Sequence, residues 1–195
     1  MILIPYGFTE VDADNLPVQL PAFYIDRTEY AETHGMPLTN VTYDQARQRC
    51  EAAGKRLPKG IEWEKAVRGE TGTRWPWGNN DAPERANVMD NPHSPHAAMP
   101  ANSNPESASV YGVLNLIGNV WEWVDDAHVP KPRNIVSLAD RLLPPPTKDE
   151  PWYAARGGAF DTPLAEALPY KFLVLPARYR APNLGFRCAQ SPMVP

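Results

Sequence analysis

Two runs, Tyr111-Gly112-Val113-Leu114-Asn115 and Gly118-Asn119-Val120-Trp121-Glu122-Trp123, decide the reading of this chain. Together they offer a hard cation several oxygens within eight residues, Asn115 to Glu122. Asn115 has a side-chain carbonyl and Glu122 a carboxylate. The Gly118 and Val120 carbonyls can turn inward between them. Calcium takes about six to eight oxygen ligands in flexible geometry, often including backbone carbonyls. Gly118 permits the tight turn that would aim those carbonyls at one point. Trp121 and Trp123 alternate with Glu122, as on a strand with one buried face. The plain alternative is a structural strand after a turn, with Glu122 solvated.

Other blocks extend the pattern outward on both sides. Phe23-Tyr24-Ile25-Asp26-Arg27-Thr28-Glu29 comes first, then Ala53-Gly54-Lys55-Arg56-Leu57-Pro58, then Glu62-Trp63-Glu64-Lys65-Ala66 with Arg68-Gly69. Trp75-Pro76-Trp77-Gly78, Ala86-Asn87-Val88, Arg156-Gly157-Gly158 and Leu184-Gly185-Phe186-Arg187-Cys188 follow in order. In this series the chain resembles the formylglycine-generating enzyme (sulfatase-modifying factor) family from about residue 20 to 190. It is similar to domains of that family appended to bacterial Ser/Thr kinases and other multidomain proteins. The resemblance implies an α+β, C-type-lectin-like fold: loop-rich, with short twisted antiparallel sheets and two helices. It also implies structural calcium at Asn115, Gly118, Val120 and Glu122. Asn87 with the Val88 carbonyl matches half of a second calcium site. The acidic partner has no counterpart there, because the following loop is short; Asp90 is nearby but off the family position. A turn held by the Asn87 side chain is the alternative.

Composition agrees with a loop-rich fold. One domain, residues 1–195, is expected from this length. A hydrophobic fraction of 43% with six tryptophans can furnish a core. Twenty-three prolines and twelve glycines disfavour a helical bundle, since proline removes a backbone donor and interrupts helices and central strands. A net charge of −4 gives no basic footprint for nucleic acid. No apolar run approaches the roughly 18 residues of a membrane span. Met1-Ile2-Leu3-Ile4-Pro5-Tyr6 lacks the charged start and long apolar stretch of a secretory signal, so a cytoplasmic location is expected.

Local signals place two helices. Thr42 and Gln45 form a capping box, with Val41 and Ala46 at the staple positions. Ala46, Cys50 and Ala53 share a face, and Gly54 ends the helix in a left-handed cap. The second helix runs from about Gly60 to Val67, with Trp63, Ala66 and Val67 inward. Lys59 stands at its start where family members usually have Thr, and lysine cannot accept the capping bond. Ala127 to Pro151 reads as a Pro-rich surface insertion. Ile135, Leu138, Leu142 and Leu143 have spacing for two helical turns, and Pro144-Pro145-Pro146 is expected extended. The insertion is read as a lid on the domain, or as a partner-binding segment.

The cysteines bear on the chemistry. The family's oxidase activity uses two reactive cysteines after the Arg-Gly-Gly block, as thiolates on copper. Here Ala159-Phe160-Asp161-Thr162-Pro163-Leu164 follows that block, and no cysteine lies between Cys50 and Cys188. A hydroxyl does not replace a thiolate as a soft ligand for Cu(I). Formylglycine generation by that route is therefore not expected, nor is bound copper. The iron-dependent sulfoxide synthesis known on this fold draws three histidines mainly from an additional domain, so iron is not expected either. Of His34, His93, His96 and His128, only His93 and His96 are close. Pro92 and Pro95 argue against a helix that would pair them. Ser103, Ser107 and Ser109 are expected in a solvated loop, with no base to activate them. The resemblance makes Cys50 and Cys188 neighbours, either bridged or adjacent thiols. A bridge closing so long a loop adds about 4–5 kcal/mol at most.

The function expected is a non-catalytic binding or regulatory module, with an unknown protein or small ligand as partner, and neither nucleic acid nor membrane. The alternatives are a retroelement-diversified ligand-display protein and a divergent enzyme of the family with a rearranged centre. No catalytic residue is assigned. The expected ligand surface comprises Asp161, Thr162, Glu166, Arg178, Tyr179 and Arg180. Arg178 and Arg180 alternate as on a strand, and either bind a carboxylate or phosphate or brace the loops.

Overall fold

The computed structural model of the protein describes residues 1–31 and 35–192, and His34 lies outside them. The two ends of the chain meet in one sheet. Strand β1 (Ile2–Ile4) pairs antiparallel with β4 (Phe23–Ile25), which pairs in turn with β9 (Ala189–Gln190). Between β1 and β4, a hairpin of β2 (Gly7–Val11) and β3 (Leu16–Leu20) reaches outward. Buried Lys65 holds its root by donating to the Pro5 and Gly7 carbonyls at 2.8 and 2.9 Å.

The central sheet has the order β7-β6-β5-β8, from β5 (Trp121–Ala127), β6 (Trp152–Arg156), β7 (Phe172–Pro176) and β8 (Leu184–Phe186). The β5–β8 pair is parallel, which departs from the purely antiparallel sheets expected. The reason is topological: β6 and β7 intervene in sequence, so β8 arrives by a long crossover, as parallel pairing requires.

The burial of β5 also differs from a one-faced strand. Trp121 and Trp123 pack into one hydrophobic cluster with Tyr43, Ala46 and Phe186. Val124 enters the other, which contains Trp63, Ile117 and Leu116. Glu122 points to that second side, where it is 1% exposed. Both faces of the strand are thus buried from Trp121 to Val124, and exposure returns at Asp125.

Helix α1 (Tyr43–Ala52) carries the capping box: the Gln45 N–H donates to Thr42 Oγ1 at 3.2 Å and the Thr42 N–H to Gln45 Oε1 at 3.0 Å. Gly54 follows at φ 69°, in the left-handed region. Tyr43, Ala46 and Cys50 face inward, whereas Ala53 is exposed because it already caps the helix. Helix α2 (Gly60–Arg68) starts without a side-chain cap from Lys59. Instead Glu62 turns back to accept the Lys59 N–H at 2.9 Å, and the Arg56 guanidinium grips the same carboxylate with two bonds of 2.7 Å.

A third helix, α3 (Pro132–Leu138), occupies the insertion. It starts earlier than the apolar spacing suggested, because Pro132 suits a first helical turn. Leu138 is buried, while Leu143 is 90% exposed and lies beyond the helix. Arg178 anchors the insertion: its Nε donates to Glu150 Oε2 and its terminal nitrogen to the Pro144 carbonyl, both at 2.7 Å. The Trp152 indole N–H adds a bond to the Thr147 carbonyl at 2.8 Å. Among the described residues, no helix is long and apolar enough to cross a membrane.

Candidate functional site

Beneath β5 lies a buried polar centre. Arg187, 0% exposed, grips Glu122 with two bonds, Nε to Oε2 at 2.7 Å and a terminal nitrogen to Oε1 at 2.6 Å. The Trp63 indole N–H donates a third bond, to Oε2 at 2.8 Å. The remaining Arg187 donors reach the Leu114 carbonyl at 2.9 Å and the Asp26 carbonyl at 3.2 Å. Burial alone would lower the affinity of Arg187 for its proton, but the Glu122 charge and hydrogen bonds outweigh it and raise the pKa. Glu29 is the second buried acid. It accepts from Asn119 Nδ2 at 2.7 Å and from Asn115 Nδ2 at 3.2 Å. Burial pushes its pKa up, Arg187 pulls it partly back, and Glu122 pushes it up again, to about 7.

Asn115 and Glu122 therefore sit in one network, but their polar atoms are engaged. The Asn115 carboxamide contacts Ser107 Oγ at 3.0 Å on its oxygen side and donates to the Ala101 carbonyl at 2.9 Å. Gly118, at φ 80°, is closed against the chain: a Cβ there would meet the Asn87 carbonyl oxygen at 2.5 Å. Its N–H donates to the Gly157 carbonyl at 2.8 Å, and Val120 is fully buried. As arranged, the carboxylate of this set fits the guanidinium, whose full charge it already faces. At the second position, Asn87 donates to the Ala97 carbonyl at 2.9 Å and to Asn119 Oδ1 at 3.0 Å, and accepts from Ser94 Oγ at 2.7 Å. Asn87 thus braces the loop that follows it, and Val88 is buried in the core. Asp90 accepts the Leu164 N–H at 2.9 Å. Among the described residues, no group of three or more His, Cys, Asp or Glu side chains is gathered for a metal.

Three members of the centre escaped the sequence reading as site residues: Glu29, Asn119 and Arg187. All lie inside or beside the blocks quoted above. An ionisable or amide side chain embedded among apolar ones, as in Gly185-Phe186-Arg187, was the available signal.

The expected ligand surface divides in two. Asp161, Thr162, Glu166 and Tyr179 line a hollow of about 410 Å³ between β7 and the insertion, opposite Ser137, Leu138 and Arg141. A second hollow of about 530 Å³ adjoins it and shares Trp121, Asn134, Glu166, Leu173 and Val174. The two form one groove crossed by Asn134 of α3. Thr162 is 9% exposed, and its Oγ1 accepts the Ala159 N–H at 3.1 Å, which closes a local turn. Asn183 donates to both oxygens of Asp161, at 3.0 and 2.9 Å. Arg178 and Arg180 lie past the end of β7, in a turn and the segment after it, so they do not alternate on a strand. Arg178 braces the insertion through Glu150, whose pKa is held down by that hydrogen bond. Arg180 is exposed.

The sulfatase-modifying factor enzyme 1-like domain matches residues 15–192. The chain belongs to this family. It is 29% identical over 170 residues to the inactive C-alpha-formylglycine-generating enzyme 2 of Mus musculus, covering 80% of this chain and 49% of that protein. It is 30% identical over 172 residues to the formylglycine-generating enzyme of Thermomonospora curvata, covering 80% of this chain and 56% of that protein. It thus spans about half the length of these relatives. The structure of CarF superposes with a TM-score of 0.77 at 17% identity, over 98% of both chains, which speaks to fold alone. The architecture is α+β and C-type-lectin-like, as the resemblance implied.

Within this sulfatase-modifying factor domain, Cys50 and Cys188 form a buried disulfide, Cα to Cα 5.6 Å, across 138 positions of sequence. Both cysteines of the chain are consumed by it. The described histidines do not assemble. His93 and His96 lie in an irregular loop, and His128 stacks on Phe172 at the groove, centroids 4.7 Å apart. Ser107 and Ser109 are buried, contrary to the solvated loop expected for them, because Ser107 Oγ accepts the Asn115 N–H at 2.9 Å.

Proposed function

We propose that this domain is a non-catalytic binding module whose ligand or partner seats in the groove between β7 and the 127–151 insertion. The observation that carries this reading is the convergence of the insertion with the segment after Gly158 on one open, mixed apolar and polar groove of ligand-binding size. Its walls hold no cysteine, and the chain's two thiols are joined elsewhere. The chemistry implied for active relatives needs thiolates there. Binding residues on loops carried by a rigid scaffold are a common arrangement. Here the scaffold is the sheet, the disulfide and the Arg187–Glu122 pair.

A fragment screen read by nuclear magnetic resonance tests the location. The reading expects shifts to cluster on Trp121, Leu173 and Tyr179. Shifts confined to the separate hollow lined by Trp77 and Tyr111 would move the site and defeat the proposal.

A further inference from the structure

The half of the groove at the start of the insertion has a chemistry that the net charge hides. The chain carries a formal charge of −4. Yet Lys131, Arg133 and Lys171 all line the hollow of about 530 Å³, with His128 beside them and Glu166 as the single acid of the lining. Lys131 and Arg133 are exposed and make no side-chain ion pair among the described residues. Lys171 donates only to the Ala165 carbonyl, at 2.9 Å. This contrasts with Arg178, Arg187 and Arg156, each of which is paired with a carboxylate. The floor between the cations is apolar. Trp121 is 8% exposed at its base, and Phe172 and Leu173 are 38% and 39% exposed along β7. Phe172 carries His128 on one side. At the far end of the groove the positive excess is lost, because Asp161 and Glu166 line the other hollow against Arg141 alone.

We propose that this half of the groove binds a small amphipathic organic anion, with a carboxylate or phosphate head among Lys131, Arg133 and Lys171 and an apolar body on Trp121, Leu173 and Val174. The inference rests on the groove being the binding site and adds the class of ligand. The physical case is complementarity. Unpaired cations at the rim of a low-dielectric hollow focus a positive potential and raise the local concentration of anions. The apolar floor contributes by burial, at roughly 25 cal/mol per Å² of apolar surface covered. A cationic ligand of the same shape meets repulsion, and a neutral one loses the electrostatic part. The neighbouring hollow sets two acids against Arg141 alone, so the three cations favour the head group in this half.

Octanoate, octyl phosphate, octanol and octylammonium serve as probes, titrated at low salt while the Trp121 indole and Leu173 methyl signals are followed. Both anions are expected to bind at least tenfold more tightly than octanol, with octylammonium weakest, and to weaken as salt rises. The stronger of the two anions identifies the head group. Lys131→Glu and Arg133→Glu change exposed side chains and should leave the melting curve unchanged while removing the preference. Equal binding of octanol and octanoate at these signals would overturn the anion inference and leave the groove as a binding site. A preference for anions that survives both substitutions would overturn the assignment to these residues. Absence of shifts with all four probes would overturn the small-ligand inference, while docking of a protein in the groove would stand on the separate mapping by fragments.

Discussion

Arg187 and Glu122 face each other through two hydrogen bonds of 2.6 and 2.7 Å, with side chains 0% and 1% exposed. They tie the link between β8 and β9 to the central strand β5, and Trp63 of α2 donates the third bond. Removing one partner of a buried pair leaves an uncompensated charge and costs about 3–5 kcal/mol. Arg187→Met should therefore destabilise the domain by about that amount. The double variant Arg187→Met/Glu122→Leu should lose clearly less than the sum of the two single changes. Urea unfolding of the four proteins measures the coupling. Additive losses would mean that the two residues act independently.

Calcium gives a second test of the same centre. Asn115, Gly118, Val120 and Glu122 are the ligands implied by family resemblance, but Arg187 already neutralises the carboxylate. Metal-stripped protein should melt at the same temperature across micromolar to millimolar calcium. A ligand bound only by the native state would raise that temperature by mass action. A rise abolished by Glu122→Gln would restore calcium to this site.

Glu29 sets a pH dependence. Its pKa is raised from the ordinary 4.5 to about 7, by burial first and against the pull of Arg187. Between those values the unfolded chain has released a proton that the native protein still holds. The native state therefore binds more protons there, and stability falls as pH rises through the window. Its contribution is complete below about pH 4.5 and gone above about pH 7. Each tenfold difference in proton affinity between the folded and unfolded chain corresponds to about 1.4 kcal/mol, so the full effect is about 3 kcal/mol in order of magnitude. Glu29→Gln should flatten the slope in that window, whatever it does to the absolute stability. Denaturant midpoints measured from about pH 4 to 8 provide the check, and an identical slope in the variant would exclude Glu29 as its source.

The parts of the fold legible in the sequence were those fixed locally or by the ordered blocks. Thr42 and Gln45 announced their helix because both halves of the capping box lie within one turn. Trp63, Trp121 and Trp123 were recognisable as core. The strand parity of Trp121, Glu122 and Trp123 was legible, but the burial of both faces depended on β6, β8 and α2, which are distant in sequence. Glu122 was visible as a functional candidate, whereas its partner Arg187 lies 65 positions away. Periodicity carries no information on such a contact. Arg178 shows the reverse error. Its alternation with Arg180 suggested a strand face, but the turn after Pro176 points it at Glu150. The sequence points to the insertion 127–151 and to a ligand surface between Asp161 and Arg180, but not to the cations of the hollow that joins them. Lys131, Arg133 and Lys171 become neighbours only when the insertion folds back onto β7.

The central claim is that this sulfatase-modifying factor domain binds without oxidising. The most direct measurement incubates the purified protein under air with a sulfatase-type cysteine peptide, with and without Cu(I), and reads the peptide by mass spectrometry alongside oxygen uptake. With Cys50 and Cys188 joined to each other and no thiol in the groove, the peptide should emerge unchanged and oxygen uptake should match the protein-free control. Conversion to the aldehyde at a rate that rises with added copper and scales with protein concentration would contradict the account and make the domain an oxidase.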